Sequence, residues 1–138
     1  MTVYYQSCAK ETTMVEARRV FGSFSVDNIE AARQFYEDTL SMKTELVTDD
    51  GPLFLHGPNG SATLVYPKAD HTPASFTVLN LSVDDIDSVV EELSSQGVEF
   101  KRYAGIEADD RGIHRSGGRA IAWFTDPAGN ELSVVQES

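Results

Sequence analysis

The chain has 138 residues, a hydrophobic fraction of 41% and a formal net charge of -11 at pH 7. This length fits one domain, and the apolar fraction is typical of a globular core rather than of a disordered chain. The acidic balance argues against nucleic acid and anionic membranes as partners, because both need clustered Lys and Arg. No apolar run approaches the roughly 20 residues of a membrane span.

The cellular location is expected to be the cytoplasm. The first residues show no basic start followed by an apolar block, which is the pattern of a signal peptide. The single cysteine, Cys8, has no internal partner for a disulfide, as is usual for a protein of a reducing compartment.

The first half of the chain predicts four strands and one helix after a polar leader, residues 1–17. The first strand covers residues 18–26, which are rich in Val, Phe and Ser. Asp27 is predicted as the helix N-cap, and apolar residues at helical spacing then continue to Leu40. Three further strands are predicted at 43–48, 53–56 and 62–66, separated by turns that contain Gly and Pro. The order is β-α-β-β-β.

A linker, residues 67–73, precedes a second copy of this order. It starts with a strand at 75–83 and a helix that Asp84 caps and Gly97 ends. Further strands are predicted at 98–103, 120–125 and 131–136, with a long polar loop at 104–118. The letters repeat as well, since SVDNIE begins at Ser25 and SVDDID at Ser82. We therefore expect one α+β domain, residues 18–138, made of two modules at 18–66 and 74–138.

Three segments resemble the vicinal oxygen chelate superfamily of glyoxalase I, fosfomycin and bleomycin resistance proteins and extradiol dioxygenases. FSVDNIEAARQFYEDTLSMK (24–43) is similar to the family's opening strand and helix, with Ser41 and Met42 in place of its Gly and Phe. VDDIDSVVEELSSQGVEF (83–100) repeats that segment. AWFTDPAGNELSVVQ (122–136) is similar to the closing hairpin. The resemblance implies the glyoxalase/bleomycin-resistance fold, in which two βαβββ modules form a curled mixed sheet around a cleft.

In the metal enzymes of this superfamily, His, Gln and Glu side chains of both modules bind a divalent cation in the cleft. Counting from the motifs places the ligand positions on Phe21, Phe76 and Ser133. Two benzyl groups and one neutral hydroxyl lack the imidazole and carboxylate donors of a divalent site. The resemblance therefore implies a protein without the family's metal, and no other cofactor is indicated.

Strand alternation predicts which side chains share the faces that line the cleft. That set is Phe21, Ser23, Phe76, Val78, Glu131, Ser133 and Val135. With aromatic residues near the strand ends added, the candidate ligand-binding residues are Phe21, Ser23, Phe76, Val78, Ser133, Tyr66, Tyr103 and Trp123. These residues are typical of an apolar pocket for a small organic molecule, or they simply fill the cleft as core. Both interpretations remain open.

Three residues are candidates for acid/base chemistry. His114 and Asp109 lie in the polar loop among other charged residues, and Glu131 begins the last strand. The alternatives are a solvated loop and a solvent-facing strand residue. His71, in the linker, is expected to be solvated.

Three functions remain open. The first is a metal-free protein that binds a small aromatic or cationic molecule, as the resemblance to bleomycin resistance proteins implies. The second is an enzyme of the lyase, isomerase or dioxygenase-like kind that uses acid/base residues or a relocated divalent metal. The third is a non-catalytic interaction subunit. A homodimer is expected, because such dimers are common in the superfamily and twofold pairing is the usual form of soluble oligomers.

Overall fold

The computed structural model describes residues 15–138, so most of the predicted leader, residues 1–14, lies outside the described part. Residues 15–21 have no regular secondary structure. No helix in the described range is long and apolar enough to cross a membrane. The elements in chain order are β1 (Gly22–Val26), α1 (Ile29–Gln34), β2 (Lys43–Leu46), β3 (Leu53–His56), β4 (Ala62–Pro67), β5 (Thr77–Ser82), α2 (Ile86–Ser95), β6 (His114–Ser116), β7 (Arg119–Thr125) and β8 (Glu131–Gln136).

The strands form two four-stranded mixed sheets, with the orders β1-β4-β3-β2 and β5-β8-β7-β6. In each module the first strand runs parallel to the last strand, because the helix crosses over between the first two strands. The other neighbouring strands are antiparallel. The predicted α+β class is confirmed, with the strands divided between two sheets that do not close into a barrel.

Both helices start one residue later than predicted. The N-caps are Asn28 and Asp85, whose side-chain oxygens accept the backbone N–H three residues further on, at 3.0 and 3.2 Å. The predicted caps Asp27 and Asp84 were wrong, because in each pair both neighbours carry a capping oxygen and only the backbone geometry selects one. After α1 the chain continues as one π-helical turn, Phe35–Thr39.

The edge of the second sheet differs from the prediction. Residues 98–103 form no strand and contribute one isolated bridge, Lys101 with Trp123. The apolar alternation there reflects the packing of Val98 and Phe100 against the core, which needs no ladder of hydrogen bonds. The edge strand is β6, which lies inside the predicted loop and pairs with β7. Its letters, HRS, carry no apolar alternation that could have signalled a strand.

One hydrophobic cluster contains side chains of both modules. Phe24 and Val26 of β1 are buried in it, as are Leu132 and Val134 of β8. Burial of each such side chain contributes roughly 1.5–3 kcal/mol. Because side chains alternate along a strand, the residues between these positions point to the opposite face of each sheet.

A buried polar network joins the two modules. The Tyr36 hydroxyl, on the turn after α1, donates to Asp126 Oδ2 at 2.8 Å. Asp126 Oδ1 also accepts the backbone N–H of Ala128 and of Asn130. The Asn130 amide in turn donates to the Ser25 carbonyl at 2.8 Å. Burial, together with the neighbouring Asp126 carboxylate, raises the pKa of Tyr36 far above its ordinary range, so the hydroxyl remains a donor.

The linker between the modules is part of this contact. His71 is half-buried rather than solvated, with Ser25 Oγ 2.7 Å from Nδ1 and the Ala128 carbonyl 3.0 Å from Nε2. Since a carbonyl only accepts, Nε2 carries the proton. Gly129 has a φ of +84°, and an added Cβ would lie 2.9 Å from Pro73 Cγ. The turn after β7 therefore requires glycine where the linker crosses it.

Candidate ligand-binding site

The three positions that correspond to the family's metal ligands differ in solvent exposure. Phe21 and Phe76 are 42% and 65% exposed, whereas Ser133 is fully buried. The Ser133 hydroxyl donates to Asn80 Oδ1 at 2.6 Å. The donors at these positions do not fit a divalent cation. Within residues 15–138 no group of three or more His, Cys, Asp or Glu side chains is placed to hold a metal ion.

The first sheet carries an aromatic surface on the side away from the core, which we call the first aromatic face. The rings of Phe21 and Phe54 meet edge to face at 5.3 Å. The Arg19 guanidinium lies over both rings, 5.0 and 4.9 Å from their centroids. Next along β3, His56 stacks on Phe54, and its Nε2 is 3.0 Å from Glu45 Oε1. A cation of the chain itself therefore covers these rings.

The corresponding side of the second sheet carries the second aromatic face, formed by Thr77, Lys101, Tyr103, Trp123 and Glu131. The Tyr103 and Trp123 rings meet edge to face at 5.3 Å. The Tyr103 hydroxyl donates to Glu131 Oε1, and the Thr77 hydroxyl donates to Glu131 Oε2 at 3.0 Å. The Lys101 ammonium lies 3.6 Å from Glu131 Oε1. An indole and a phenol ring thus stand beside a recessed carboxylate.

The electrostatics of the second aromatic face follow from that carboxylate. The pKa of Tyr103 is raised, first by desolvation and then by its hydrogen bond to Glu131, while Lys101 partly opposes the shift. Tyr103 therefore remains a neutral hydroxyl at physiological pH. The Glu131 side chain is only 15% exposed, so its charge is less screened by water than that of a surface carboxylate.

A β-bulge changes the predicted alternation in β5. Thr77 pairs with Glu131, but Leu79 pairs with the very next residue of β8, Leu132. The extra residue, Val78, packs against the hydrophobic core. The expectation that the Val78 side chain lies on the same face of the sheet as Glu131 and Ser133 was therefore wrong. Beyond the bulge, Asn80 takes the position beside Ser133.

The remaining candidates for ligand contact are spread over both sheets. Ser23 is exposed on β1 beside Leu64, and Tyr66 is half-buried at the end of β4. Val135 of β8 is half-buried and pairs with Ile121. Phe76 stands immediately before β5 and projects into solvent. The structure brings Tyr103, Trp123 and Glu131 together, but Phe21 packs against Phe54 of the first sheet.

The acid/base candidates do not form one cluster in the described structure. Asp109 Oδ1 accepts the backbone N–H of Arg111 and of Ile113 at 2.9 Å each, which is a loop-closing role. His114 Nδ1 lies 2.7 Å from the Glu107 carbonyl. Asp109 has a lowered pKa: desolvation, the largest single effect, raises it, but those backbone hydrogen bonds together with Arg115 outweigh desolvation. Of the three acid/base candidates, only Glu131 lies beside aromatic side chains of the second aromatic face.

Several residues of both faces were missed by the sequence analysis: Arg19, Phe54, Thr77, Asn80 and Lys101. The alternation of β3, in which Leu53 and Leu55 are buried, was a signal that Phe54 points outward. Thr77 and Asn80 depended on the bulge, which carries no sequence signature here. Arg19 and Lys101 lie outside the strands, so no periodicity could have placed them.

Comparison with known proteins agrees with this architecture. The family model described as Glyoxalase/Bleomycin resistance protein/Dioxygenase superfamily matches residues 20–134. No curated protein sequence matches the chain. A putative glyoxalase family protein from Bacillus anthracis has a similar structure, with a TM-score of 0.71, 19% identity and coverage of 93% of this chain and 100% of that one.

Two further solved structures have the same fold. TnmS3, an antibiotic binding protein from Streptomyces sp. CB03234, is 22% identical over 91% of this chain and 100% of its own, with a TM-score of 0.65. A lactoylglutathione lyase from Agrobacterium tumefaciens is 17% identical over 88% of this chain and 96% of its own, with a TM-score of 0.64. At these identities the similarity establishes the fold alone.

Proposed function

Because the chain belongs to the Glyoxalase/Bleomycin resistance protein/Dioxygenase superfamily, we propose that it binds a small aromatic molecule on the second aromatic face without the family's metal. One observation carries the proposal: Trp123 and Tyr103 stand half-buried beside Glu131, on the same face as Ser133, one of the family's metal-ligand positions. Aromatic walls with a few fixed polar groups are the usual make-up of a small-molecule site. An antibiotic binding protein of the same fold shows that this architecture can serve to bind a small molecule.

The donor chemistry supports the metal-free part of the proposal. Phe21 and Phe76 offer no lone pair, and the Ser133 hydroxyl is committed to Asn80. A relocated site would need several His, Asp or Glu side chains in one place. Elemental analysis of purified protein is expected to find no stoichiometric metal. Zinc, nickel, manganese or iron at one equivalent per chain would contradict this part.

The binding part is tested through Trp123, the only tryptophan of the chain. The probe is 1-naphthylmethanol, a neutral compound with a two-ring aromatic system. We expect its titration to shift the single indole N–H resonance in a saturable way, because the naphthalene ring contacts the indole. Titration calorimetry on the same samples gives the Kd. No saturable shift at the solubility limit of the probe would contradict the proposed function.

Homodimer formation is part of the proposal. The two aromatic faces lie on different sheets, and Phe21 and Phe76 keep 42% and 65% of their surface exposed in the single chain. Exposed apolar rings of this size are common where a second subunit packs. Sedimentation is expected to give a dimer at micromolar concentration, and a monomer under those conditions would contradict the proposed dimer.

We also propose a cytoplasmic location, which cell fractionation tests.

A further inference from the structure

The recess of the second aromatic face holds a carboxylate whose charge is incompletely matched. Glu131 accepts hydrogen bonds from two neutral hydroxyls, of Tyr103 and Thr77, which orient both of its oxygens without cancelling the charge. The nearest cation, the Lys101 ammonium, stops at 3.6 Å from Oε1, beyond ordinary hydrogen-bond distance. The side chain of Glu131 keeps 15% of its surface exposed.

Lys101 shows which chemistry fits this recess. Its ammonium lies 3.6 Å from the carboxylate and 5.4 Å from the centroid of the Tyr103 ring. A primary ammonium is therefore placed between a negative charge and the negative face of a π-system, both of which attract it. The Lys101 side chain is 43% exposed, so its ammonium has solvent within reach.

We propose that Glu131 and Tyr103 bind the primary ammonium of an aromatic amine, whose ring packs on Trp123 while the Lys101 ammonium is displaced into solvent. This inference rests on the proposed function and names its ligand class. The recess attracts the ligand cation as it attracts Lys101, and the net charge of -11 adds long-range attraction. Lys101 is a tethered competitor, and Glu131 is the residue that selects the ligand by charge.

The test compares three naphthalene compounds that differ in charge: 1-naphthylmethylamine, 1-naphthylmethanol and 1-naphthylacetate. Calorimetry at neutral pH is expected to rank the ammonium compound about tenfold tighter than the alcohol, with the carboxylate weakest. Glu131→Gln is expected to remove the tenfold preference for the ammonium compound over the alcohol. Lys101→Gln is expected to have the opposite effect. Because it removes the competing ammonium, the protein should bind the ammonium compound about threefold more tightly.

A matched control removes the same charge elsewhere. Lys43 is an exposed lysine of β2, on the first sheet. Lys43→Gln changes the net charge as Lys101→Gln does, so it is expected to leave the preference between ammonium and alcohol as it is. Because the Lys101 side chain is partly exposed, we expect Lys101→Gln to fold. The charge dependence can therefore be tested with this variant even if Glu131→Gln does not fold.

The outcomes separate this inference from the proposed function. If the alcohol binds at Trp123 but the ammonium compound binds no tighter, or if Glu131→Gln leaves its preference intact, the inference is overturned and the proposed function stands. Tightest binding of the carboxylate compound, lost in Lys101→Gln, would also overturn it. If none of the three compounds shifts the Trp123 indole resonance, the proposed function itself fails.

Discussion

The two modules have the same strand order but present different surfaces on the faces turned away from the core. On the first aromatic face, Arg19 covers both phenylalanine rings, so a cation of the chain itself already occupies the π-surface. On the second, Lys101 stands at the rim, and Trp123 and Tyr103 border a recessed carboxylate. A repeated fold thus yields one aromatic surface with a cation of the chain over its rings and one that borders a carboxylate. The difference involves Arg19, Lys101 and Tyr103, which lie outside the strands, as well as Trp123 of β7 and Glu131 of β8.

The largest expected effect concerns the contact that joins the modules. Tyr36→Phe removes the only side-chain hydroxyl donor seen on the Asp126 carboxylate within the described residues. Loss of this buried, charge-assisted hydrogen bond is expected to lower the free energy of unfolding by about 1–3 kcal/mol. Urea unfolding measures it, and a double-mutant cycle with Asp126→Asn isolates the pair. An unchanged unfolding midpoint would show that the modules are held together by other contacts.

The next effect separates the two faces directly. Trp123→Ala is expected to weaken the binding of 1-naphthylmethanol about tenfold, because it removes the aromatic wall of the second aromatic face. Phe54→Ala is the matched control, since it removes a ring that Arg19 already covers, and it is expected to leave the affinity nearly unchanged. Calorimetry on both variants gives the comparison. A larger loss in Phe54→Ala would place the ligand on the first aromatic face.

A smaller effect distinguishes the turns that follow the two helices. Gly97 follows α2 with a φ of +95°, and Ser41 follows the end of the first helical segment with a φ of +56°. A left-handed conformation costs a non-glycine residue roughly 1–2 kcal/mol, whereas glycine increases the entropy of the unfolded chain. Ser41→Gly is therefore expected to stabilise the protein by up to about 1 kcal/mol.

Gly97→Ser is the reciprocal change in the second module. No atom outside its neighbours lies within 4 Å of a Cβ added at Gly97, so conformational strain is the only cost. We expect a loss of about 1 kcal/mol in the free energy of unfolding. Thermal or urea unfolding of the two variants should shift in opposite directions, and a destabilised Ser41→Gly protein would refute the equivalence of the two turns.

The smallest effect is spectroscopic. Desolvation and the hydrogen bond to Glu131 raise the pKa of Tyr103 in the folded protein. A raised pKa contributes stability that is present below the unfolded value, roughly 10, and is lost as pH rises through the folded value. NMR titration of the Tyr103 ring carbon should place its ionisation above the ordinary range, and Glu131→Gln should lower it. An unshifted titration would mean that the hydroxyl does not face the carboxylate.

The sequence predicted the fold better than the site. The bounds of β3 and β8 were predicted without error, because their turn residues and alternation are unambiguous. The helix N-caps were one residue off, since Asp27 and Asn28 are both capable of capping. The strand at 98–103 was wrong because apolar spacing reports burial, and burial does not require strand pairing.

The amino-acid sequence by itself determined the two-module α+β architecture, the family and the absence of ligating side chains at Phe21, Phe76 and Ser133. These follow from patterns that are local in the chain. Only the tertiary structure decided that Arg19 covers one aromatic face while Glu131, Tyr103 and Lys101 meet beside Trp123 on the other. Those contacts involve Arg19, Lys101 and Tyr103, which lie outside the strands, so they arise only when the folded chain brings distant residues together.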